Sequence, residues 1–476
     1  MEKAENGADA QAADPDAEAA APGASFAQLH QRALDLHRSG KLDEAGAVYR
    51  RLLAGAPGNA QVWTNFGALL RRMGRLGPAI AAHRRALALD PGLVGARVNL
   101  ANALADDAQC AEAEALRREL IAEAPRDPVR LRDLAAVLRA QWRQEEAIAL
   151  VDGAEQEGWA DDTCRLQRGL AQLMLGYWRD GFADFECRYA DGEVSLPADV
   201  PWPRWQGEAI AGKRLLVLPE QGFGDAIVMS RFLPALCAMG AEVTMLVKPP
   251  LRRLFAGLAG IRLTDAARRS DDYDFYTPNM SLPHLVGMAG GIPPAPPLAI
   301  PSDSRARARA LVAPFGLAFR IGVVWTGSTT FKGNHLRSTG PESFLGLAGV
   351  PGVQLFSLYK GPAHEAFLAS GMAGLIVDAC GADRDFADSA AVMDEMDLMI
   401  TTDTAVVHVA ASLGKPVWNL LSHEGFWLYG KGETTPWYPS MRLWRQQQPG
   451  DWDELFARVE AALRAHPGLL ERRGHA

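Results

Sequence analysis

The sequence has little of what several classes of protein need. It has five cysteines in 476 residues, and no two of them are spaced as C-x-x-C. That usage is typical of a reducing compartment and gives neither a disulfide framework nor a zinc site. No apolar run approaches the roughly 18 to 20 residues of a membrane-spanning helix. The N-terminus also lacks the apolar core of a signal peptide. We therefore expect a cytoplasmic protein with no membrane-inserted segment.

Excess positive charge and metal-ligand spacing are missing as well. The formal net charge of -8 argues against nucleic acid or anionic membrane as a partner, although it leaves room for a local basic pocket around a phosphate. The ten histidines show no H-x-x-x-H or H-E-x-x-H pair. The Asp272–Asp274 triplet imitates the D-x-D of metal-dependent sugar transferases, but it precedes a strand instead of ending one. We expect no metal site.

What the sequence does contain is an internal period of 34 residues. Small or turn-forming residues recur at this spacing: Pro57, Pro91 and Pro125; Ala45, Ala79, Ala113 and Ala147; Gly40 and Gly74. An alanine inside each helix pair and a proline between pairs are typical of tetratricopeptide repeats. The alanine lies where two helices cross closely, so a larger side chain would push them apart.

This period predicts an all-α solenoid over residues 25–190, after a disordered acidic and Ala-rich tail at 1–24. Four repeats span about 26–159, and a degenerate pair covers 161–190. The match is fullest around Trp63, and we place Trp63 and Asn65 in a groove that would dock a protein acceptor. A purely structural role for the array is the alternative.

After a linker at 191–212, short apolar runs alternate with helical segments. This texture predicts two doubly wound α/β lobes, 213–305 and 306–476, which bind ligands at the carboxyl ends of their strands. The predicted strands are LLVLP, EVTMLV and DFYT in the first lobe, and RIGVVW, VQLFSLY, LIVDA, DLMITT and KPVWNLL in the second. A final helix is expected over about 451–466.

The first candidate site is the turn that contains Gly222, Gly224 and Asp225, between the LLVLP strand and a helix. A strand, a glycine turn and a helix aim backbone N–H groups at an anionic ligand. The loop is neither a Walker loop nor a full dinucleotide fingerprint. Asp225 could cap the helix, or it could act as a general base toward an acceptor hydroxyl. The local sequence leaves both readings open.

The second candidate follows the DLMITT strand. Asp403 or Thr404 would cap a helix that begins near Ala405 and whose first turn can bind a phosphate. His408 lies one turn later on the same face as Thr404. An ordinary cap and a core histidine are the alternative.

The third candidate is a polar and basic group after two strands of the second lobe. Its members are Trp325, Gly327, Ser328, Lys332, Asn334, Arg337 and Lys360. The positive charges of Lys332, Arg337 and Lys360 would stabilise a leaving phosphate without a metal. Solvated surface bases are the alternative for any one of them.

Residues 202–465 resemble bacterial proteins that join tetratricopeptide repeats to a glycosyltransferase domain related to the heptosyltransferase family, family nine. The matching stretches are PRWQGEAIAGKRLLVLPEQGFGDAIVMSRFLP, GVVWTGS, FSLYKGP, DFADSAAVMDEMDLMITTDTAVVHVAASLGKPVW and PWYPSMRLWRQQQPGDW. The resemblance implies a GT-B fold of two Rossmann-like lobes. It also implies a nucleotide-sugar donor as co-substrate, with no cofactor and no divalent metal.

By this resemblance, Asp225 looks like the acidic residue that is the usual candidate base. Lys360 looks like the basic residue that faces the donor phosphates. The stretch from Asp403 through Thr404 and Ala405 to His408 resembles the segment that meets the donor. The chain departs from the family pattern at Tyr359, at 334–338 and at 422–425, where selectivity for donor or acceptor should lie.

These features together predict a metal-independent glycosyltransferase. Its repeats would recruit a protein acceptor for Ser/Thr O-glycosylation with a hexosyl or nonulosonic acid group. Similar repeat-plus-transferase proteins modify flagellin, which makes flagellin one candidate partner. The alternatives are heptosyltransferase-like transfer to a cell-envelope glycan or lipid-linked acceptor, and a non-catalytic scaffold.

Overall fold

The computed structural model describes residues 25–190, 192–196, 200–288, 290–328 and 333–475. The chain divides into two compact units, Met1–Leu138 and Arg139–Ala476. The predicted tail at 1–24 lies outside the described residues, as do Lys332 of the predicted basic loop and residues 191 and 197–199 of the predicted linker.

The first unit consists of helix pairs, as the 34-residue period predicts. The helices are Phe26–Arg38 and Leu42–Gly55, Ala60–Arg72 and Leu76–Leu89, Val94–Asp106 and Cys110–Glu123, and then Pro128–Ala140. The recurring alanines are fully buried: Ala45, Ala79, Ala113 and Ala147 are each 0% exposed. Close helix crossing at these positions is therefore confirmed.

The turn inside each helix pair adopts a left-handed backbone conformation. Gly40 and Gly74 have φ of 81° and 71°, which glycine tolerates without strain. At the same repeat position, Ala108 has φ 57° and Trp142 has φ 61°. This conformation costs a non-glycine residue about 1–2 kcal/mol. Contacts outside its own turn must therefore hold Trp142 in this conformation.

The second unit begins with further repeat helices, Gln144–Gln156, Asp162–Leu175 and Trp178–Phe185, followed by the 3₁₀ turn Glu186–Tyr189. Phe182 packs edge-to-face on Trp427 and Trp437, with ring centroids 5.6 and 6.4 Å apart. The boundary between units at 138/139 thus differs from the repeat boundary at 190. The repeat boundary reflects only the periodicity of the sequence. The unit boundary reflects packing, because the aromatic faces of the last helices pack on the α/β part.

The first α/β lobe contains a parallel sheet with the order β3-β2-β1-β4. Its strands are β1 (Arg214–Leu218), β2 (Glu242–Leu246), β3 (Ile261–Thr264) and β4 (Phe275–Pro278). Its helices are Phe223–Met229, Leu233–Ala238, Arg252–Phe255 and Leu282–Val286. The three predicted strands are confirmed. β3 was not predicted, because it is short and only partly buried.

The second lobe contains a sheet with the order β10-β11-β9-β8-β5-β6-β7, parallel except for the β10–β11 pair. Its strands are β5 (Phe319–Val324), β6 (Val353–Ser357), β7 (Ile376–Asp378), β8 (Leu398–Thr402), β9 (Val417–Leu421), β10 (Thr434–Thr435) and β11 (Tyr438–Arg445). Its helices are Ser302–Val312, Leu345–Ala348, His364–Ala369, Phe386–Asp394, Ala405–Ser412, Trp452–Arg464 and Pro467–His475. The five predicted strands and the helix predicted at about 451–466 are confirmed, but a further helix, Pro467–His475, follows it.

The predicted lobe boundary at 305/306 needs correction, because it cuts the helix Ser302–Val312 in two. This helix packs on the second-lobe helix Phe386–Asp394, where Ser304 Oγ donates to Asp388 Oδ1 at 2.6 Å. The helix therefore belongs to the second lobe, which begins at Ser302.

Candidate active site between the two lobes

The glycine-rich loop joins β1 to the helix Phe223–Met229. Gly222 is extended and caps the helix, and its N–H donates to Asp225 Oδ2 at 2.7 Å. The short distance from strand to helix and this hydrogen bond hold the half-buried Asp225 at the carboxyl end of β1. The capping role predicted as one alternative is therefore present.

Capping does not exhaust the chemistry of Asp225. Burial raises the pKa of this carboxyl to about 6, opposed by the hydrogen bond from Gly222 N–H. The carboxylates of Asp403 and Glu220 act in the same direction as burial. A carboxyl with a pKa near 6 is ionised at neutral pH and can take up a proton easily, as a general base requires.

The glycine-rich loop lies directly against the second lobe. A Cβ added at Gly224 would stand 2.9 Å from His408 Cδ2 and 3.7 Å from the Ala405 Cα. Any side chain at this position would push the loop away from the helix Ala405–Ser412. Two of the segments predicted to form the site, one from each lobe, are thus brought together.

His408 is a neutral, buried histidine. It is 6% exposed, and burial, together with the positive charges of Arg231 and Arg337, lowers its pKa to about 3. Its ring lies parallel to that of Tyr429, with centroids 6.5 Å apart. Within the described ranges, His408 Nδ1 has no hydrogen-bond partner although it is buried. His408 is therefore available to a ligand as a neutral hydrogen-bonding group and not as a cation.

Asp403 directly follows β8 and is held from two sides. Tyr429 OH donates to Asp403 Oδ1 at 2.7 Å, and Arg337 Nη1 lies 3.7 Å from Asp403 Oδ2. Burial raises the pKa of Asp403, whereas Arg337 and the Tyr429 hydrogen bond oppose that rise. Tyr429 was not predicted as a site residue, because it comes from a loop far along the chain.

Thr404 occupies the N-cap of the helix Ala405–Ser412 without making a side-chain cap. In the part of the chain that the structure describes, its buried Oγ1 has no hydrogen-bond partner. The first-turn N–H groups and the Thr404 hydroxyl therefore lie at the same helix end, and the hydroxyl does not hydrogen bond to these N–H groups. Such an end suits an anion, because the helix dipole and the N–H groups both favour negative charge.

Gly327 and Arg337 complete this end of the site. A Cβ at Gly327 would lie 3.2 Å from Arg337 Nη2, 3.4 Å from Asn334 Oδ1 and 3.4 Å from Thr404 Cγ2. The loop after β5 and the helix end after β8 are thus adjacent, as parallel neighbouring strands require. Ser328, in the same loop, is exposed.

Two predicted donor-binding residues have other contacts in this structure. Trp325 is 2% exposed, and its ring packs 5.0 Å from Tyr359 and 5.1 Å from Phe367. Lys360 is exposed, and its Nζ donates to the carbonyl oxygen of Asp383. Lys360 follows β6, which lies on the side of β5 away from β8. Their roles in donor binding remain predictions.

The two residues predicted to dock an acceptor lie in the first unit. Trp63 Nε1 donates to the Pro57 carbonyl at 2.8 Å. Asn65 is half-buried, with Nδ2 2.9 Å from His30 Nε2, and it accepts from Gln61 Nε2 at 3.1 Å. The Trp63 side chain therefore stabilises the turn that precedes its own helix. Asn65 forms a row of polar side chains with Gln61 and His30 on the repeat helices.

No group of three or more His, Cys, Asp or Glu side chains in the described ranges is placed to hold a metal ion. None of the helices described is both long enough and apolar enough to cross a membrane.

Segments of the chain match known families. Residues 362–437 match glycosyltransferase family 9 (heptosyltransferase), and residues 29–156 match the middle TPR-like domain of cilia and flagella-associated protein 70. Protein FlbA of Caulobacter vibrioides is 26% identical over 350 residues, which cover 67% of this chain and 58% of that protein. The chain thus spans less than two thirds of the length of this relative.

Two solved structures are similar to parts of the chain. The glycosyl transferase family 9 protein from Veillonella parvula aligns over 56% of this chain and 100% of its own length, with 14% identity and a TM-score of 0.42. A tetratricopeptide repeat protein from Parabacteroides merdae aligns over 35% of this chain and 66% of its own, with 18% identity and a TM-score of 0.31. Both scores are below 0.5, so the fold rests on the helix pairs and sheets described above.

Proposed function

We propose that this chain, a TPR-like region followed by a glycosyltransferase family 9 region, transfers a sugar from a nucleotide donor to a Ser or Thr hydroxyl of a protein. The observation that carries the proposal is Asp225, whose carboxyl is partly buried, has a pKa of about 6, and belongs to the loop that lies against His408. Asp225 would remove the hydroxyl proton as the acceptor oxygen bonds to the anomeric carbon and the bond to the donor phosphate breaks.

The leaving phosphate would be stabilised from the second lobe. The N-terminal end of the helix Ala405–Ser412, the Thr404 hydroxyl and the Arg337 guanidinium supply donors and positive charge there. Donors that are fixed before the reaction stabilise developing charge without reorganisation. Neutral His408 could hydrogen bond to the sugar or phosphate through Nδ1.

Metal independence follows from this arrangement as a prediction. Transfer should survive an excess of EDTA, because the donors above offset the leaving charge. Loss of transfer in EDTA with recovery on adding Mn²⁺ or Mg²⁺ would contradict it.

The acceptor side of the proposal rests on the repeats. Repeat arrays of stacked helix pairs offer an extended surface to peptides, and the row of Gln61, Asn65 and His30 offers groups that can bond a peptide backbone. Flagellin is the acceptor that the family resemblance suggests first.

The decisive experiment replaces Asp225 by asparagine. A purified protein would first be screened against UDP-, GDP-, ADP- and CMP-sugars by thermal shift, because selective binding raises the melting temperature. D225N keeps the hydrogen bond from Gly222 but cannot accept the acceptor proton. We expect unchanged donor binding with transfer reduced by roughly a hundred- to ten-thousand-fold.

The control variant is D451N. Asp451 caps the helix Trp452–Arg464 through a hydrogen bond from Glu454 N–H at 3.0 Å, so it also accepts one backbone N–H at the start of a helix. D451N should transfer normally, since Asn caps about as well as Asp. Transfer by D225N within about threefold of wild type would remove Asp225 from the role of base. A wild-type protein that transfers no sugar it binds would favour the scaffold alternative.

A further inference from the structure

A buried ion pair joins the last repeat helices to the glycine-rich loop. Arg188, in the turn Glu186–Tyr189, donates from Nε to Glu220 Oε1 at 2.5 Å and from Nη2 to Glu220 Oε2 at 2.8 Å. Both side chains are 2% exposed. Glu220 follows Pro219 directly after β1 and begins the loop that leads to the helix Phe223–Met229, whose first turn contains Asp225. A two-pronged contact of this kind fixes orientation as well as distance.

The guanidinium is held so completely that it has one orientation. Arg188 Nη1 donates to the Phe185 carbonyl at 3.1 Å and to Glu186 Oε1 at 2.7 Å, and Nη2 also reaches Ser281 Oγ at 2.8 Å. Its plane lies over the Tyr189 ring, 4.4 Å from the centroid. Ser281 follows β4, so Arg188 ties the ends of two neighbouring strands, β1 and β4, to the last repeat helices.

This pair also controls charge near Asp225. The charges that act on Asp225 are those of Glu220, at the start of its loop, and of Asp403 in the second lobe, which pairs with Arg337. Neutral His408 lies against the neighbouring Gly224, and Lys248 Nζ donates to the Gln221 carbonyl. Arg188 neutralises Glu220, so loss of Arg188 would leave an uncompensated buried carboxylate beside the candidate base.

We propose that Arg188 is a positioning residue: by holding Glu220 it fixes the start of the glycine-rich loop and shields Asp225 from the Glu220 charge. The inference rests on the function proposed above for Asp225, and it makes the last repeat helices a working part of the transferase lobes. The alternative is that the pair serves only to stabilise the packing of these helices.

Arg168 provides the matched control. It lies in the helix Asp162–Leu175, is 15% exposed and pairs with Asp184 at 2.6 Å and with Asp152 at 2.8 Å. R168Q therefore breaks a partly buried ion-pair network within the same repeat helices without touching Glu220. Any effect that R188Q and R168Q share reports packing, and an effect of R188Q alone reports the loop.

The first readout is hydrogen exchange of the peptide covering residues 219–229, followed by mass spectrometry on the full-length protein. We expect at least about tenfold faster exchange in R188Q, because its buried partner loses the two-pronged contact, and wild-type exchange in R168Q. Equal exchange in wild type and R188Q would overturn the proposal. If R188Q does not fold, R188K keeps the charge but loses the fork geometry and should show the same direction of change.

The second readout is the ionisation of Asp225, obtained without a transfer assay. Because its pKa is raised in the folded state, an ionised Asp225 weakens folding, so a parent protein loses stability relative to its D225N counterpart as pH rises through that pKa. This loss levels off above the folded-state pKa, so we expect the pH at which it levels off to rise by about half a unit or more in R188Q. The double variant R188Q/E220Q, which has no buried charge at 220, should reverse the rise.

The outcomes separate the two proposals. The charge-shielding role would be overturned if the stability loss levelled off at the same pH in wild type, R188Q and R168Q backgrounds. R188Q could show both the faster exchange and the shifted pH response while the wild-type protein transfers no sugar. That result would support the positioning by Arg188 and contradict the proposed transferase.

Discussion

At Gly224 there is no room for even one methyl group, because an added Cβ would stand 2.9 Å from His408 Cδ2. G224A must therefore move either the loop or the helix Ala405–Ser412. We expect a loss of about 1–3 kcal/mol of stability, as for other overpacked sites, and at least a tenfold loss of transfer. Thermal unfolding and the transfer assay measure both effects.

The control for G224A is G153A. Gly153 is exposed in the helix Gln144–Gln156, and nothing lies within 4 Å of an added Cβ. Alanine there should stabilise the protein by up to about 1 kcal/mol and leave transfer unchanged. If G224A behaved like G153A, the close approach of the two lobes at this point would not matter for function.

A second prediction at the residue scale concerns pH. Since burial raises the pKa of Asp225 to about 6, the ionised base disappears as pH falls through that value. We expect kcat/KM to be level above about pH 7 and to fall about tenfold per unit well below pH 6. A profile that is flat from pH 5 to 7 would contradict a base with this pKa.

How well the site could be predicted from the sequence differs among its residues. Asp225, Asp403 and His408 lie at the carboxyl ends of strands or one helical turn later, where motif and topology together point to a ligand. Tyr429 and Arg188 reach the site from segments 26 residues after Asp403 and 32 residues before Glu220. No local pattern marks such long-range contacts, and only the packed structure shows them.

At the scale of elements, Trp142 is the clearest case of local strain held by distant packing. Its backbone has φ 61°, and its Nε1 donates to the His423 carbonyl at 2.9 Å. Its ring lies against Gly425, with Arg445 stacked 4.5 Å from the centroid. These contacts secure the loop that carries Tyr429, which in turn holds Asp403.

Replacing Trp142 by glycine tests this account. W142G relieves the backbone but removes the ring and its hydrogen bond, so we expect a net loss of about 2–4 kcal/mol. A108G, at the equivalent turn with φ 57°, relieves similar strain without removing a large side chain and should be neutral or stabilising. Thermal unfolding compares the two, and a W142G protein as stable as wild type would show that the ring contacts contribute little.

The elements themselves were largely readable from the sequence. Buried parallel strands such as β5 and β8 are short and mostly apolar or β-branched, and the repeat helices follow their 34-residue period. β11 escaped prediction because Pro439, Ser440 and Arg442 interrupt its apolar residues, and its buried and exposed positions alternate irregularly. Parallel pairing with β9 therefore stabilises β11 as a strand, although its own sequence lacks a regular strand pattern.

At the scale of the whole molecule, the residues that match a TPR-like model precede those that match the family 9 model, as predicted. Where the chain can be divided is testable. We expect the fragment 139–476 to fold and to bind the same nucleotides as the full chain. The fragment 191–476 should unfold or aggregate, because it loses Arg188 from Glu220 and uncovers Trp427 and Trp437.

Thermal unfolding and nucleotide binding of the two fragments provide the measurement. A fragment 191–476 as stable as 139–476 would show that the last repeat helices are dispensable to the lobes. If both fragments bind nucleotides but neither modifies a protein acceptor, the first unit is needed for acceptor docking.

The helices from Gln144 to Phe185 belong to the array by period and to the lobes by packing. These helices therefore separate the repeats before them, which can vary, from the α/β lobes after them. Repeats contact mainly their neighbours, so whole 34-residue units could be gained, lost or exchanged before residue 128 while the chemistry after residue 139 stayed intact. A lineage of related chains could in this way present the same pair of lobes to new protein partners by altering the length of its array.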